Sequence, residues 1–536
     1  GMAPFGDKST LIMDMSDQYI EFLCGLKTGE LFFSWSKSLG TNTIGLFAYY
    51  VSSPFSVLTL FFPNSMMPIA VLFLTVLKIG LCGLTFGILL QSKFRQERYS
   101  IALFSLFYGL MSYNIAYSMC IMWLDAVIWL PLIILGTERI IEGKSGKGFV
   151  ASLFLCFLST YYLSYMVVLF VSLYFLYRCL EEAFSKEKFF RCLGRFAFGG
   201  ITAAALCAFL LLPTLASLLQ GKVGDNGMDY STAFNFTLPD FFQKLLPFRY
   251  DSITNAGAPF LYCGAIPFIL FIAFFFHKKI RLRSKLLTGT VSLILFFSLW
   301  ISTLDKVWHG FRYPNWFPYR YAFLLSFLVI LTAYRAFLLI KRSPRWNSRS
   351  VLLGIAVFAL STTEMFGNTH AILKGLDTEF GYESYSSYRD YKTAVSDLLS
   401  ELPAEKASGS GGDFYRVGAT LERSKNEPIG FGYNGITHYS STYHRGVNRF
   451  LSQSGFAQAY FWSSYFGSTM LTDDLFSVRY VISDHSVSSS YSRIAENDLA
   501  ALYGNPDTIP IAMVVKEPSL SGFAFADNPF ESQNRL

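Results

Sequence analysis

The chain has 536 residues, is 52% hydrophobic and only 15% charged, and its mean hydropathy is +0.37. Soluble globular domains carry about 25% charged residues, so this composition excludes an ordinary water-soluble protein and points to a bilayer as solvent. The net charge of +7 does not indicate a nucleic-acid binder, because the basic residues concentrate in short loops between apolar runs, the pattern of membrane topology.

The chain opens Gly1-Met2-Ala3 with no basic region and apolar core behind it, so no signal peptide is expected. Residues 1–66 read as the outer loop after a first helix that this sequence does not include. A spanning helix needs roughly 20 apolar residues, which 67–91, 99–118, 196–219, 259–276, 286–304, 319–340 and 350–367 meet or approach. The run at 120–136 is shorter. Residues 149–177 are too long for one span and are interrupted by Ser159, Thr160, Tyr161 and Tyr162, so two short helices meeting in a tight outer turn are expected. That makes about ten helices in a transmembrane domain over 67–367.

Orientation follows from Lys and Arg. Basic residues collect at 92–98 (Lys93, Arg95, Arg98), 138–148, 178–195, 278–285 (Lys278, Lys279, Arg281, Arg283, Lys285) and 341–349 (Lys341, Arg342, Arg345, Arg349). Placing these loops in the cytoplasm leaves 1–66, 220–258, 305–318 and 368–536 on the extracellular side. The last is polar and rich in Ser, Gly and Tyr, with strand-like runs at Phe414–Val417 and Val478–Ile482 and a flexible loop at 407–412. It is expected to be an exported α/β or mostly-β domain. The eight cysteines show no metal-type pairing and read as small apolar fillers.

The groups that could do chemistry gather on the outer side. In LIMDMSDQYIEF, Asp14 and Asp17 are three apart on one helix face. Such a pair serves as a general base with a helper or holds a divalent cation; the plain alternative is a helix cap with a dipole partner. In LDKVWHGFRYPNWFPYRYAF, His309, Arg312 and Arg320 could grip a phosphate, while Trp308, Trp316 and Tyr319 could stack on a sugar or a headgroup, with Asn315 beside them. The alternative there is an interfacial aromatic belt. Asp125 lies inside an apolar run, where an ionisable group usually faces a cavity. The segment EPIGFGYNGITHYSSTYHR holds His438, Tyr439, Ser440 and His444, but no nucleophile elbow surrounds the serine, so an ordered substrate-facing loop is expected.

Taken together, FGDKSTLIMDMSDQYIEF, SWSKSLGTNTIGLFAYYVSSPF, MWLDAVIWLPLI, VWHGFRYPNWFPYRYAF and GFGYNGITHYSST resemble, in order, the bacterial YfhO-type membrane proteins. The resemblance implies a GT-C-like polytopic membrane glycosyltransferase that takes a sugar from a polyprenyl-phosphate donor and adds it to teichoic or lipoteichoic acid outside the cell. It implies a catalytic acid at Asp14, in an Asp-x-x-x-Gln-Tyr pattern completed by Gln18 and Tyr19, with Asp17 second. It leaves metal use open. The expected fold is therefore a polytopic α-helical membrane protein with an exported C-terminal domain. The alternatives are a lipid-linked-sugar flippase or transporter and a non-enzymatic envelope scaffold.

Overall fold

A computed structural model describes residues 1–94, 98–221, 233–312, 314, 316–341, 350–403, 414–459, 461–512 and 524–535. Arg95, Asn315, Arg342, Arg345, Arg349 and the expected flexible loop at 407–412 lie outside the described residues. The chain divides into two compact units. One joins Gly1–Leu72 and Leu212–Asn226 to Tyr382–Leu536; the other comprises Phe73–Leu211 and Gly227–Gly381.

The second unit is helical. Among the described residues five helices are long and apolar enough to cross a bilayer: Asn64–Phe94, Tyr161–Glu181, Lys186–Leu206, Leu282–Trp300 and Ala322–Ile340. The Ala322–Ile340 helix is the central one, 72% of its apolar window being buried, while Lys186–Leu206, at 17%, turns most of its surface outward. An outward apolar surface of that extent is what lipid contact requires. The protein is a multi-pass membrane protein.

Several apolar runs are not single spans. The run at 99–118 breaks into Arg98–Gly109 and Ser112–Ala116, because the buried Asn114 side chain donates to the carbonyls of Tyr108 (3.0 Å) and Gly109 (2.9 Å) and so closes the first helix early. The run at 196–219 breaks at Cys207 into Lys186–Leu206 and Ala208–Gln220, and Pro213 lies inside the second helix. Residues 149–177 divide, as expected, at Thr160, where the backbone leaves the helical region (φ −163°, ψ 81°). The second half, Tyr161–Glu181, is nevertheless of full spanning length. By length and composition the described residues hold five such helices, or six if the bent pair Ile44–Val51 and Pro54–Phe61 counts as one, beside the shorter apolar helices Lys147–Ser159, Ala208–Gln220 and Ala265–Phe276.

Asp125 is fully buried and paired with Lys78 at 2.6 Å, and the lysine also donates to the carbonyl of Ile121 (3.0 Å). Removing one partner strands a buried charge. We expect Asp125→Ala to lower stability by about 3–5 kcal/mol. The joint change Lys78→Met with Asp125→Leu should recover most of that, as read by thermal unfolding in detergent.

In the first unit, a four-stranded sheet runs in the order Arg416–Ala419, Val478–Ser483, Ala501–Gly504, Ser492–Glu496, the first pair parallel and the others antiparallel. The expected strand runs near 414 and 478 overlap the two members of its parallel pair, Arg416–Ala419 at the edge and Val478–Ser483 inside. Arg416 pairs with Val478 and Val417 with Tyr480, so Arg479 is an extra residue, a bulge that changes the facing of the strand. Val478 and Val481 consequently pack on one side with Ile436, Leu451 and Phe456. Tyr480 and Ile482 pack on the other with Val395 and Leu398 of the Tyr385–Ser400 helix. Both faces of the sheet are covered, which accounts for its apolar central strand.

Candidate active site

The acidic motif folds as a wide π-type turn, Met15–Tyr19, that runs into the helix Ile20–Gly25. Asp14 stands at the N-terminal position of that turn, yet its side chain makes no capping hydrogen bond. Instead its half-buried carboxylate receives Gln18 Nε2 at 2.7 Å and the Tyr19 hydroxyl at 3.1 Å. The extra residue of a π-turn brings a side chain five positions on over the same carboxylate, and such turns recur at functional sites. A second tier holds the first. The Tyr50 hydroxyl donates to Gln18 Oε1 (3.1 Å) and accepts the backbone N–H of Ser441 (3.1 Å), while the Tyr50 ring packs on Tyr19 and Phe22. Asp17, the other expected acid, is exposed.

The loop that includes Ser424–Tyr439 clamps the backbone of this turn. Ser424 Oγ and Asn426 Nδ2 both donate to the Asp17 carbonyl, at 2.6 and 3.1 Å. Asn426, fully buried, also bridges both backbone groups of Tyr439. Within the segment 427–445, expected to face substrate, Tyr439 is held by Asn426 and the Ser441 N–H donates to the Tyr50 hydroxyl. His438 is buried (3% exposed) with Nε2 2.8 Å from Ser440 Oγ, and among the described residues no hydrogen-bond partner reaches its Nδ1. Burial, with the Lys37 charge nearby, holds its pKa well below the ordinary histidine range, so the ring is neutral and belongs to the core of this unit.

Sequence reasoning missed the ion cluster beneath the turn. Glu21 is fully buried and binds Lys392 Nζ at 2.5 Å and the Arg423 guanidinium, which also reaches Glu383 (3.2 Å) and the carbonyl of Ser16 (3.3 Å). The signal was present: a glutamate inside the apolar stretch YIEFLCG needs a buried cation. Gly430 belongs to the same arrangement, since a Cβ there would lie 1.7 Å from the Glu21 carboxylate. Beside it, Glu427 accepts from Tyr391 (3.0 Å) and from the backbone N–H of Arg423 (3.0 Å). Burial first, and the neighbouring Glu21 charge second, push the Glu427 carboxyl up to about 7, against Lys392 and Arg423, which pull it down.

A carboxyl whose folded pKa is raised favours the folded state fully below the unfolded value of 4.5 and loses that contribution as pH rises through about 7. We therefore expect the melting temperature of the wild type to fall between pH 5 and pH 8 relative to Glu427→Gln. Parallel curves for the two proteins would contradict the assignment.

In the helical unit the expected aromatic loop is shaped rather than a simple belt. Phe311, Phe317 and Tyr319 have φ of 63°, 55° and 59°, a region that non-glycine residues rarely adopt. Arg320 lies over the rings of Trp123 (5.0 Å) and Tyr162 (5.1 Å) and donates to the carbonyls of Phe317 (3.0 Å) and Trp316 (2.7 Å). His309 is buried between Tyr162, whose hydroxyl is 2.8 Å from Nδ1, and Asp305, 3.5 Å from Nε2. Arg312 is half-buried and Trp316 exposed. The structure thus brings His309, Arg320, Tyr162 and Asp305 together, and leaves Asp125 apart in its pair with Lys78. Among the described residues no group of three or more His, Cys, Asp or Glu side chains is placed to hold a metal.

The fold and sequence have relatives. The chain is 21% identical over 492 residues to the uncharacterized protein YfhO of Bacillus subtilis (strain 168), covering 79% of this chain and 54% of that protein. It therefore spans about half the length of the curated relative it matches. The fold is similar to that of the arabinofuranosyltransferase AftD from Mycobacteria, with a TM-score of 0.50 at 10% identity, over 94% of this chain and 38% of that one. The family model described as bacterial membrane protein YfhO matches residues 1–353 and 336–536, taking in the acidic turn, the helical unit and the C-terminal sheet alike. The chain belongs to the bacterial membrane protein YfhO family.

Proposed function

We propose that this chain is the catalytic part of a GT-C-type glycosyltransferase. In this reading it moves one sugar from a polyprenyl-phosphate donor to a polymer of the cell envelope, teichoic or lipoteichoic acid, on the extracellular face. The observation that carries the reading is the state of Asp14: a carboxylate that does not cap its helix and is oriented by Gln18 and Tyr19, with Tyr50 behind them. A side chain held by a second tier of hydrogen bonds is the arrangement a general base requires. The fold likeness to a membrane arabinofuranosyltransferase adds support at the level of architecture.

In the proposed step the acceptor hydroxyl attacks the anomeric carbon as its proton passes to Asp14. The bond from that carbon to the phosphate oxygen breaks, and the lipid phosphate leaves as an anion. Arg312 and Arg320, with His309, are assigned to neutralising that phosphate, and Trp316 to stacking on the sugar. Asp17 acts as an auxiliary carboxylate.

The test is reconstitution of the full-length protein in liposomes with a radiolabelled polyprenyl-phosphate sugar and isolated teichoic acid. Label in the polymer supports transfer. Label that changes sides of the membrane without entering the polymer would replace this reading with a transporter.

A further inference from the structure

On the helical unit, helix ends and one interhelical turn surround a cavity of about 590 Å³ that the transferase reading does not use. Its inner wall is an ion network in balance. Glu138 accepts from Lys93 and from Arg178 (2.9 Å), and Glu181 accepts from Arg178 and from Arg335 (2.6 Å). Glu182 adds a further carboxylate at 3.1 Å from Arg178. With Glu138, which stands behind the lining, three cations meet three acids, and this side of the cavity carries no excess charge.

The rim is different. Lys279 and Arg281, in the turn between Ala265–Phe276 and Leu282–Trp300, and Arg283, in the first turn of the second helix, line the cavity, and all three are exposed. Among the described residues no carboxylate stands within ion-pair distance of any of them. The first turn of the Leu282–Trp300 helix likewise has no acidic residue and no side-chain cap. The third component is apolar: Phe274 and Leu338 line the same cavity, with the Arg335 guanidinium 5.4 Å from the Phe274 ring centroid. Immediately alongside, Ile272, Phe276 and Leu282 are 58%, 81% and 70% exposed, a surface that in a multi-pass protein meets acyl chains.

A basic loop needs no ligand to set topology. That role, however, does not call for a cavity, for an apolar wall within it, or for a neutral inner network beside three outer cations that meet no carboxylate among the described residues. Basic pockets at helix ends with adjoining apolar surface are suited to anionic lipid headgroups. We propose that this cavity binds the phosphodiester headgroup of an anionic phospholipid. Lys279, Arg281 and Arg283 contact the phosphate, and the first acyl carbons lie along Phe274 and Leu338. The proposal is independent of the transferase reading.

The experiment is native mass spectrometry of the delipidated full-length protein titrated with phosphatidylglycerol or with phosphatidylcholine, with inorganic phosphate as competitor. The wild type should retain phosphatidylglycerol and not phosphatidylcholine. Lys279→Gln with Arg281→Gln and Arg283→Gln should weaken that retention roughly tenfold or more. Arg139→Gln with Lys144→Gln, exposed charges of another loop, should leave it unchanged. Millimolar inorganic phosphate should not displace the lipid, because it cannot use the apolar wall. Equal retention of the two lipids, or of phosphatidylglycerol by wild type and triple variant, would overturn the proposal. Full displacement by inorganic phosphate would overturn the lipid and make the site one for free phosphate. Because the three substituted residues are exposed, loss of fold is not expected, and unchanged thermal unfolding verifies it.

Discussion

Asp14→Asn in the full-length protein is expected to lower the turnover number for sugar transfer by about 10²–10⁴-fold, the usual contribution of a positioned general base. The substitution keeps the shape of the side chain and one acceptor oxygen for Gln18 or Tyr19, so expression and unfolding temperature should not move. The effect should lie in turnover and little in KM, since a proton acceptor is needed in the transition state rather than for binding. Tyr50→Phe offers a graded companion: it removes the hydroxyl linking Gln18 to Ser441 and should reduce turnover by a smaller factor. A Tyr50→Phe protein as impaired as Asp14→Asn would mean that the turn itself had been lost.

The second large effect concerns stability. Glu21→Gln leaves Lys392, 1% exposed, without its carboxylate and removes one of the two acids around Arg423. Breaking a buried pair in this way typically costs about 3–5 kcal/mol, a large share of the total stability of a domain. The first unit should therefore unfold at markedly lower temperature or denaturant, and limited proteolysis should cut within 382–536 first. Removing the partners together, as Glu21→Leu with Lys392→Met, should recover much of the loss, because the stranded charge is then gone. An additive double variant, worse than either single one, would contradict the coupling.

These two predictions also mark where the sequence was legible. Apolar runs long enough for a bilayer announced the helical unit, and the length of the run sufficed for Asn64–Phe94 and Ala322–Ile340. The break after Gly109 was hidden because it depends on one polar side chain, Asn114 folding back on the carbonyls of Tyr108 and Gly109. Hydropathy averages over such residues. Long-range partners were hidden for a different reason. Glu21 and Asp125 each signal a missing cation, but nothing local says that Lys392 and Lys78 supply it.

The acidic motif stood out in the sequence as a pair of carboxylates, while its alternative as a helix cap fell away only with the geometry. The absence of a capping bond at Asp14 and the presence of the Gln18–Tyr19–Tyr50 tier are facts of side-chain direction. They follow from a π-turn that no periodicity announces. The buried anchors of the turn's backbone, Ser424 and Asn426, lie just before the segment that opens at Glu427, and nothing local in the sequence says that they reach the Asp17 carbonyl.

The most direct measurement is made in envelopes of a host lacking the full-length gene, complemented with wild type or with Asp14→Ala at equal expression. The sugar content of the teichoic-acid fraction is read by mass spectrometry. The proposed function predicts that wild type restores a sugar substituent and the variant does not. Restoration by both would remove Asp14 from the chemistry, and no change with either would contradict sugar transfer altogether.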